Sequence, residues 1–367
     1  MNDAVFIICE FNPFHFGHKY LTDTLRGEFG AAVCLMSGAF VQRGEPAFAG
    51  KYLRAKAAVL GGADLVLELP FPYSCLPAAD FARAGVRLAA SLGARALGFG
   101  AEATLEELRA AAEILTPEAI RAEIKSESTL SYPKAAAKLL VRAGLDSGLA
   151  ARPNDILALE YIRAAAEYAP GMRLCAVKRQ SAFAPSSAVR AASADVMRQL
   201  VPETTCETLA GKTADAGPFW NAVIARWRLS RPECELCGAD AGTVDRVRNA
   251  ALTENDIGSL CEKAASPLLT KARVRRTLIY GYFGVTPERA HSSPSYALLL
   301  ASGESGRRYL AENRRSFAVP VITKPADHRS AGDKVVKDFE YALGAERVYA
   351  LTCGGIEPLK ETPFSRI

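Results

Sequence analysis

The sequence predicts an α/β fold, a doubly wound parallel sheet covered by helices on both faces, with a second, mainly helical domain behind it. Three observations carry this expectation. Short apolar runs alternate with longer amphipathic stretches through the first half of the chain, the loops that follow those runs are rich in Gly, His, Arg and Asn, and from about Ala191 onward the pattern turns helical.

The runs are Ala4 to Cys9, Ala31 to Met36, Asp64 to Leu69, Ala94 to Phe99 and Met172 to Val177. They are too short for helices and nearly all apolar, which is how a strand buried on both faces reads. Between them, Phe81 to Ser91 and Asp155 to Glu167 carry a helical period. The second half offers helical segments at Asp195 to Leu200, Gly217 to Leu229, Glu254 to Ala264 and Leu269 to Tyr280, with a loop of small residues near Ser292 to Ser295. A strand-like rhythm returns at Ala318 to Thr323 and Arg347 to Thr352, which either closes the second domain or docks on the first. These shifts divide the chain into residues 1–192 and 193–367, and 367 residues suit two or three domains of ordinary size.

Composition narrows the function classes. Apolar residues make up 49% and charged residues 23%, so the chain can bury sizeable cores and is no disordered tail. The net charge of +5 is mildly basic and suits a polyanionic partner only where it is gathered on one face. Nine Cys are too sparse for a disulfide scaffold and point to a reducing cytoplasm. The longest gap between charged residues, Glu28 to Arg43, is 14 residues and too short to span a membrane. Met1-Asn2-Asp3 followed by a six-residue apolar run lacks the basic region and cleavage site of a signal peptide.

In doubly wound sheets, ligands bind beyond the carboxyl ends of the strands. The first such loop reads Glu10-Phe11-Asn12-Pro13-Phe14-His15-Phe16-Gly17-His18 and holds two of the four His in the chain. Spacing i, i+3 at a helix start places both imidazoles on one face, beside unpaired backbone N–H groups whose dipole favours an anion. Gly17 leaves room for a phosphate or base to approach, and Pro13 stiffens the turn. Two histidines could also serve merely to cap the helix.

Further loops carry weaker signals. Met36 to Pro46 mixes Gly38, Arg43, Glu45 and Pro46, which suits a substrate loop or a solvated turn with an Arg43–Glu45 surface pair. Gly98-Phe99-Gly100-Ala101-Glu102 has glycines that permit close approach of a nucleoside. Arg152-Pro153-Asn154-Asp155 opens a helix, with Asn154 or Asp155 readable as a plain N-cap. Lys178-Arg179 follows the fifth run, and Ser186-Ser187-Ala188-Val189-Arg190 begins another helix, where hydroxyls, N–H groups and the forks of Arg179 and Arg190 can hold phosphates.

Residues 266–320 hold nine Lys or Arg against three Glu, a surplus of six. Lys271 and Arg275 with Tyr280, Tyr282 and Phe283 could pair phosphate contacts with base stacking, or form a solvated helix face. Cys234-Glu235-Leu236-Cys237 has zinc-ligand spacing, but no second such pair or nearby His completes it, so it reads as structural. His328 carries no assignment.

The strand, loop and HxGH helix resemble the nucleotidyltransferase superfamily, of HUP or Rossmann-like fold, and Ser186 to Arg190 resembles its second signature. More specifically, Glu10 to His18, Ser37 to Pro46, Gly61 to Asp64 with Glu68-Leu69-Pro70, Phe99-Gly100, Asn154 through Tyr161, Lys178-Arg179 and Lys271 to Arg276 look like those of the tRNA(Met) cytidine acetate ligases, nearly end to end.

That resemblance implies activation of acetate with ATP and Mg²⁺ to acetyl-adenylate, pyrophosphate release, and acetylation of N4 of the wobble cytidine of elongator tRNA(Met). It implies that His15, His18, Lys178 and Arg179 act in catalysis. ATP would be bound by Ile7, Ile8, Cys9, Glu10, Phe11, Asn12, Pro13, Phe14, His15, Gly17, His18, Gly100, Asn154, Arg179, Ser186 and Ser187. Lys271, Arg273, Arg275 and Arg276 would meet tRNA, and no resident metal site is expected. Two departures stand out: only Gln180 to Pro185 separate Arg179 from the second signature, where the family has a longer loop, and Ala39 and Gly50 replace Asn and Asp. A small-molecule adenylyl- or cytidylyltransferase and a nucleotide-sensing RNA-binding protein are the alternatives.

Overall fold

The computed structural model describes residues 4–127, 131–354 and 361–365. Its strands are β1 (Ala4–Cys9), β2 (Ala31–Ser37), β3 (Phe40–Val41), β4 (Glu45–Pro46), β5 (Leu65–Leu69), β6 (Ala96–Ala101), β7 (Arg173–Lys178), β8 (Ala297–Ser302), β9 (Val321–Ile322) and β10 (Phe364–Ser365). The five apolar runs are thus β1, β2, β5, β6 and β7, within two residues at each end. β1, β2, β5 and β6 are buried because helices lie on both faces, with Phe6 and Ile8 of β1 entering one hydrophobic cluster and Val5, Ile7 and Cys9 the other, whereas β7 ends the sheet and is only half-buried. Each such side chain contributes roughly 1.5–3 kcal/mol of burial.

The main sheet runs β10-β8-β5-β2-β1-β6-β7, with β9 beside β8. The chain moves outward from β1 through β2 to β5, then returns across β1 to β6 and β7, the reversal that creates a crevice in doubly wound folds. Pairing makes the crevice visible. β1 stays in register with β2 from Ala4↔Ala31 to Cys9↔Met36, but pairs with β6 only at Val5↔Ala96 and Phe6↔Leu97. Beyond Phe6 the carboxyl ends of β1 and β6 part.

Two features depart from the sequence expectation. β8 was not foreseen; it runs antiparallel to β5 and extends the sheet, with β9 and β10 parallel to it. Its Ala-Leu-Leu-Leu-Ala-Ser composition favours helix by propensity, and burial between β5 and β9 overrides that preference. The rhythm at Ala318 to Thr323 yields β9, which docks on this sheet, whereas Arg347 to Thr352 is not a strand but the end of the helix Asp333–Tyr349 and the 3₁₀ turn Ala350–Cys353.

Helices Gly217–Leu229, Ala241–Thr253, Ile257–Ala264 and Lys271–Phe283 pack around Trp227, whose Nε1 donates to the Leu278 carbonyl at 2.9 Å. An aromatic cluster ties these helices to the sheet. Phe40, fully buried, packs its ring within 5.0–6.2 Å of Phe71, Phe219, Phe283 and Tyr349. Tyr280 donates to the Cys75 carbonyl at 2.8 Å and Tyr349 to the Ala47 carbonyl at 3.0 Å.

Two buried cations organise the loop between β2 and the helix Lys51–Leu60. Arg54 is fully buried: its Nε donates to Ala49 O at 2.8 Å, Nη1 to Glu10 O at 2.6 Å, and Nη2 to Ser37 O at 2.9 Å and to Gly38 O. Lys51 lies between Glu68 at 2.9 Å and Glu346 at 3.0 Å. Burial alone would push the Lys51 ammonium down, but Glu346 and Glu68 outweigh it and hold its pKa raised. Lys51→Met leaves these two carboxylates facing each other without a cation. It should cost about 3–5 kcal/mol in urea unfolding, and a loss below about 1 kcal/mol would show that the triad is not a buried ion network.

Candidate functional site

A cavity of about 610 Å³ opens where β1 and β6 part. Its walls come from the end of β1 (Ile7 to Phe11), the start of helix Phe16–Phe29, the hairpin β3–β4, the ends of β6 and β7, the helix Pro153–Tyr168 and the start of helix Ser186–Ala191.

His15 is the N-cap of helix Phe16–Phe29 and is 2% exposed. Its Nδ1 accepts the Gly17 N–H at 3.1 Å, so in the neutral ring Nε2 carries the proton and donates to Ser186 Oγ at 3.0 Å. The His18 ring stacks on it at 3.7 Å, and His18 Nδ1 receives the His15 backbone N–H at 3.4 Å. Capping and chemistry are therefore not alternatives here, because the same two side chains close the capping box and face the cavity.

Burial, aided by the Arg179 charge, lowers the His15 pKa to about 4, and burial with His15 and Arg179 pushes His18 well down. Both are neutral near pH 7. Gly17 has a different steric reason from the expected one: an added Cβ would lie 3.0 Å from His15 Cε1 and 3.4 Å from Phe183 Cβ, so the glycine admits the capping imidazole.

Of the other residues singled out from sequence, Ile7, Ile8, Cys9, Glu10, Phe11, Gly100, Asn154, Lys178, Arg179, Ser186 and Ser187 all line the cavity. Asn12, Pro13 and Phe14, expected to bind the nucleotide, are buried and do not line it; Asn12 Oδ1 accepts the Phe48 N–H at 2.6 Å, which fixes the far end of the hairpin loop. Phe11 adopts φ 42°, a left-handed conformation uncommon for an aromatic residue, at the turn out of β1. Burial raises the Glu10 pKa, opposed by the Gln42 N–H that its Oε1 accepts at 2.8 Å.

Asn154 and Asp155 are not N-caps, since Arg152 holds that position. Asp155 is fully buried and accepts the backbone N–H groups of Glu102 at 2.7 Å and Ala103 at 3.2 Å, closing the exit of β6. Asn154 Nδ2 donates to Glu102 Oε1 at 2.9 Å, and Arg179 Nε lies 3.3 Å from the same oxygen. Glu102 Oε2 is buried without a protein partner and faces this wall. The sequence reading named Glu102 only as the end of a glycine motif.

The short connection Gln180 to Pro185 contributes to the cavity wall. Gln180 donates to Tyr20 Oη at 3.2 Å, and Phe183 packs on the Tyr20 ring at 5.7 Å. Tyr20, Gln180, Phe183 and Arg190 line the wall. Among these, Arg190 also donates to Asn12 O at 3.1 Å and lies 3.6 Å from Glu45.

The basic helix Lys271–Phe283 reaches the hairpin directly. Arg275 Nη2 pairs with Glu45 at 2.8 Å, its Nε donates to Arg43 O at 3.3 Å, and Arg276 Nη1 donates to Gln42 O at 2.9 Å. Gly44 has φ 72°, and a Cβ there would come within 2.8 Å of the Arg276 backbone nitrogen, so only glycine lets the hairpin tip sit on this helix. Lys271 pairs with exposed Glu262, and Arg273 Nη2 donates to Gly238 O at 2.9 Å. Arg43 and Glu45 do not pair with each other as a surface turn would suggest; Glu45 is held by Arg190 and Arg275. His328 is buried and structural, with Nδ1 2.6 Å from Pro325 O, Nε2 3.0 Å from Glu340 Oε1 and its ring stacked on Phe339. Among the described residues, no helix is long and apolar enough to cross a membrane.

Comparison with known proteins agrees with this geometry. The family described as HIGH Nucleotidyl Transferase matches residues 2–359. The tRNA(Met) cytidine acetate ligase of Streptococcus sanguinis is 35% identical over 377 residues, covering 98% of this chain and 97% of its own. That of Syntrophotalea carbinolica is 32% identical, covering 87% and 84%. The crystal structure of Thermotoga maritima TmcAL bound with alpha-thio ATP superposes with a TM-score of 0.89 at 25% identity, covering the whole of both chains. The chain belongs to the HIGH nucleotidyl transferase family and, within it, to the tRNA(Met) cytidine acetate ligases.

Proposed function

We propose that this protein couples ATP and acetate to form acetyl-adenylate with release of pyrophosphate, then transfers the acetyl group to N4 of the wobble cytidine of elongator tRNA(Met). The observation that carries this reading is the neutral, stacked His15–His18 pair at a helix N-terminus, opening on a cavity where β1 and β6 part. Residues 1–192 would supply the nucleotide chemistry and residues 193–367 most of the RNA contacts, in a cytoplasmic enzyme.

Each wall has a part in this reading. The Nε2–H of His15 is held by Ser186 Oγ and can turn to a phosphate oxygen without first losing a proton. His18, packed under it, would share that task. Lys178 and Arg179 at the end of β7, with Ser186 and Ser187 across the gap, would neutralise and hold the departing pyrophosphate. Next to Arg179, Gly100 leaves space and Glu102 Oε2 has no protein donor, which suits a ribose hydroxyl. The main chain of Ile7 to Phe11 would flank the base. Mg²⁺ would neutralise phosphate charge; the wall gives it few dedicated oxygens, so the nucleotide's own phosphates would supply most of its ligands.

Acetate carries one carboxylate oxygen to the α-phosphorus, the bond to the bridging oxygen breaks, and pyrophosphate leaves. The cytidine amine then attacks the acyl carbon, AMP departs with the bond electrons, and the amine loses a proton. Bringing a weak nucleophile to the acyl carbon in a fixed orientation would supply much of the rate.

Three outcomes test this reading. His18→Ala should lower acetate-dependent ATP–pyrophosphate exchange by about 100-fold or more, with circular dichroism and the urea midpoint reporting the fold; an undiminished rate removes the histidine pair from the chemistry.

Nucleotide binding should be proton-linked. The free His15 pKa is about 4, and a polyanion beside the ring favours the charged form and raises it, so the complex holds more protons than the free protein. Affinity for the nucleotide should therefore rise as pH falls from neutral toward about 4, and His15→Gln should flatten that part of the dependence in calorimetry at several pH values; a variant with the wild-type slope rules the linkage out.

For the RNA half, Lys271→Glu is a cleaner probe than a change at Arg275, whose partner Glu45 lines the cavity. It should weaken tRNA binding several-fold and reduce the salt slope by about one, leaving pyrophosphate exchange unchanged. Equal loss of both would exclude a separate RNA role.

A further inference from the structure

Cys237, Asp80 and His291 are distant in sequence, yet one ligand atom from each lies within 4.8 Å of the others. The three come from separate elements. Asp80 is in the first turn of helix Ala78–Ser91, His291 ends the helix Pro287–His291, and Cys237 lies in the tight turn Cys234 to Gly238. That turn is fixed: Leu236 bridges Ala239, Gly238 has φ 64°, and the Cys237 N–H donates to Val285 O at 3.0 Å. Cys237 is buried, Asp80 half-buried, and the His291 side chain 51% exposed, so the cluster opens to solvent on one side.

The spacing is informative. His291 Nε2 lies 3.6 Å from Asp80 Oδ1, too long for a hydrogen bond of about 2.7–3.2 Å. Two ligands bound at about 2.0–2.1 Å in a tetrahedral shell stand roughly 3.3–3.5 Å apart. The sequence offered a Cys-x-x-Cys pair with no nearby partner; the fold brings an imidazole and a carboxylate to its second cysteine.

We propose that Asp80, Cys237 and His291 form a three-ligand site for a borderline-soft divalent cation of the zinc class, with solvent in the fourth position. A thiolate and an imidazole select against Mg²⁺ and Ca²⁺, which take oxygen ligands. On binding, the Cys237 S–H loses its proton to solvent as the metal–sulfur bond forms, and the thiolate and carboxylate together balance the cation's two charges. Arg83, 2.7 Å from Asp80 Oδ1, then holds the carboxylate from outside, as Arg87 holds His291 through its carbonyl at 3.2 Å. The site would pin the Cys234 turn to helix Ala78–Ser91, and it stands independently of the acetate ligase reading.

The test uses the full chain, stripped with a chelator under reducing conditions and titrated with Co²⁺. One equivalent should bind with tetrahedral visible bands and a near-ultraviolet thiolate-to-cobalt band. Cys237→Ser should abolish the latter, His291→Ala and Asp80→Asn should each weaken binding tenfold or more, and Cys234→Ser should leave the band in place. Zn²⁺ should raise the thermal midpoint of the wild type and not of His291→Ala, whose exposed side chain makes the variant safe for folding. Absence of stoichiometric binding, a thiolate band that survives Cys237→Ser, or affinity unmoved by both His291→Ala and Asp80→Asn would each overturn the proposal.

Discussion

The buried guanidinium of Arg54 gathers the carbonyls of Glu10, Ser37, Gly38 and Ala49, and the shape of the cavity depends on that fork. The acceptors are Ser37 at the last position of β2 and three residues of backbone outside the sheet, Glu10 after β1, Gly38 after β2 and Ala49 before helix Lys51–Leu60. Buried carbonyls without donors would cost about 1–3 kcal/mol each, and a planar, permanently charged fork is the side chain best able to serve several at once. Lys51 and its two carboxylates stand beside it and fix the same loop from behind. The hairpin wall is thus held by buried electrostatics and its far side by the Phe40 aromatic cluster.

On that frame, one stretch of nine residues performs several tasks at once. Glu10 anchors the hairpin, Asn12 holds its far end, and Phe14 fills the space under the turn. His15 and His18 finish the helix and face the cavity. A segment so committed leaves little freedom to change one residue without moving another. Burial and the nearby Arg179 charge keep both imidazoles neutral near pH 7, each with one N–H to donate.

The sheet was largely legible because strands buried on both faces write themselves as apolar runs, and the residues just past their ends are where such sheets bind ligands. β8 escaped because its alanines and leucines carry no strand signal until β5 is beside it. Arg54 escaped for another reason, since a charge in a helix reads as a solvent face, and Asp155 reads as a plain N-cap; only the fold reveals the backbone groups each serves. Charge counting located the basic helix at Lys271 to Arg276 but carries no direction, and two of its arginines point inward to the hairpin. Of the cluster of Asp80, Cys237 and His291 the sequence shows only the Cys-x-x-Cys spacing at Cys237, since packing alone brings the other two members to it.

Glu45 is shared by Arg190, from the helix Ser186–Ala191, and Arg275, from the basic helix of the C-terminal half. One carboxylate thus serves two cations, with Arg190 3.6 Å from one of its oxygens and Arg275 2.8 Å from the other. The cavity wall and the basic helix therefore share one acceptor, so a change at Glu45 would unpair a cation on each side at once.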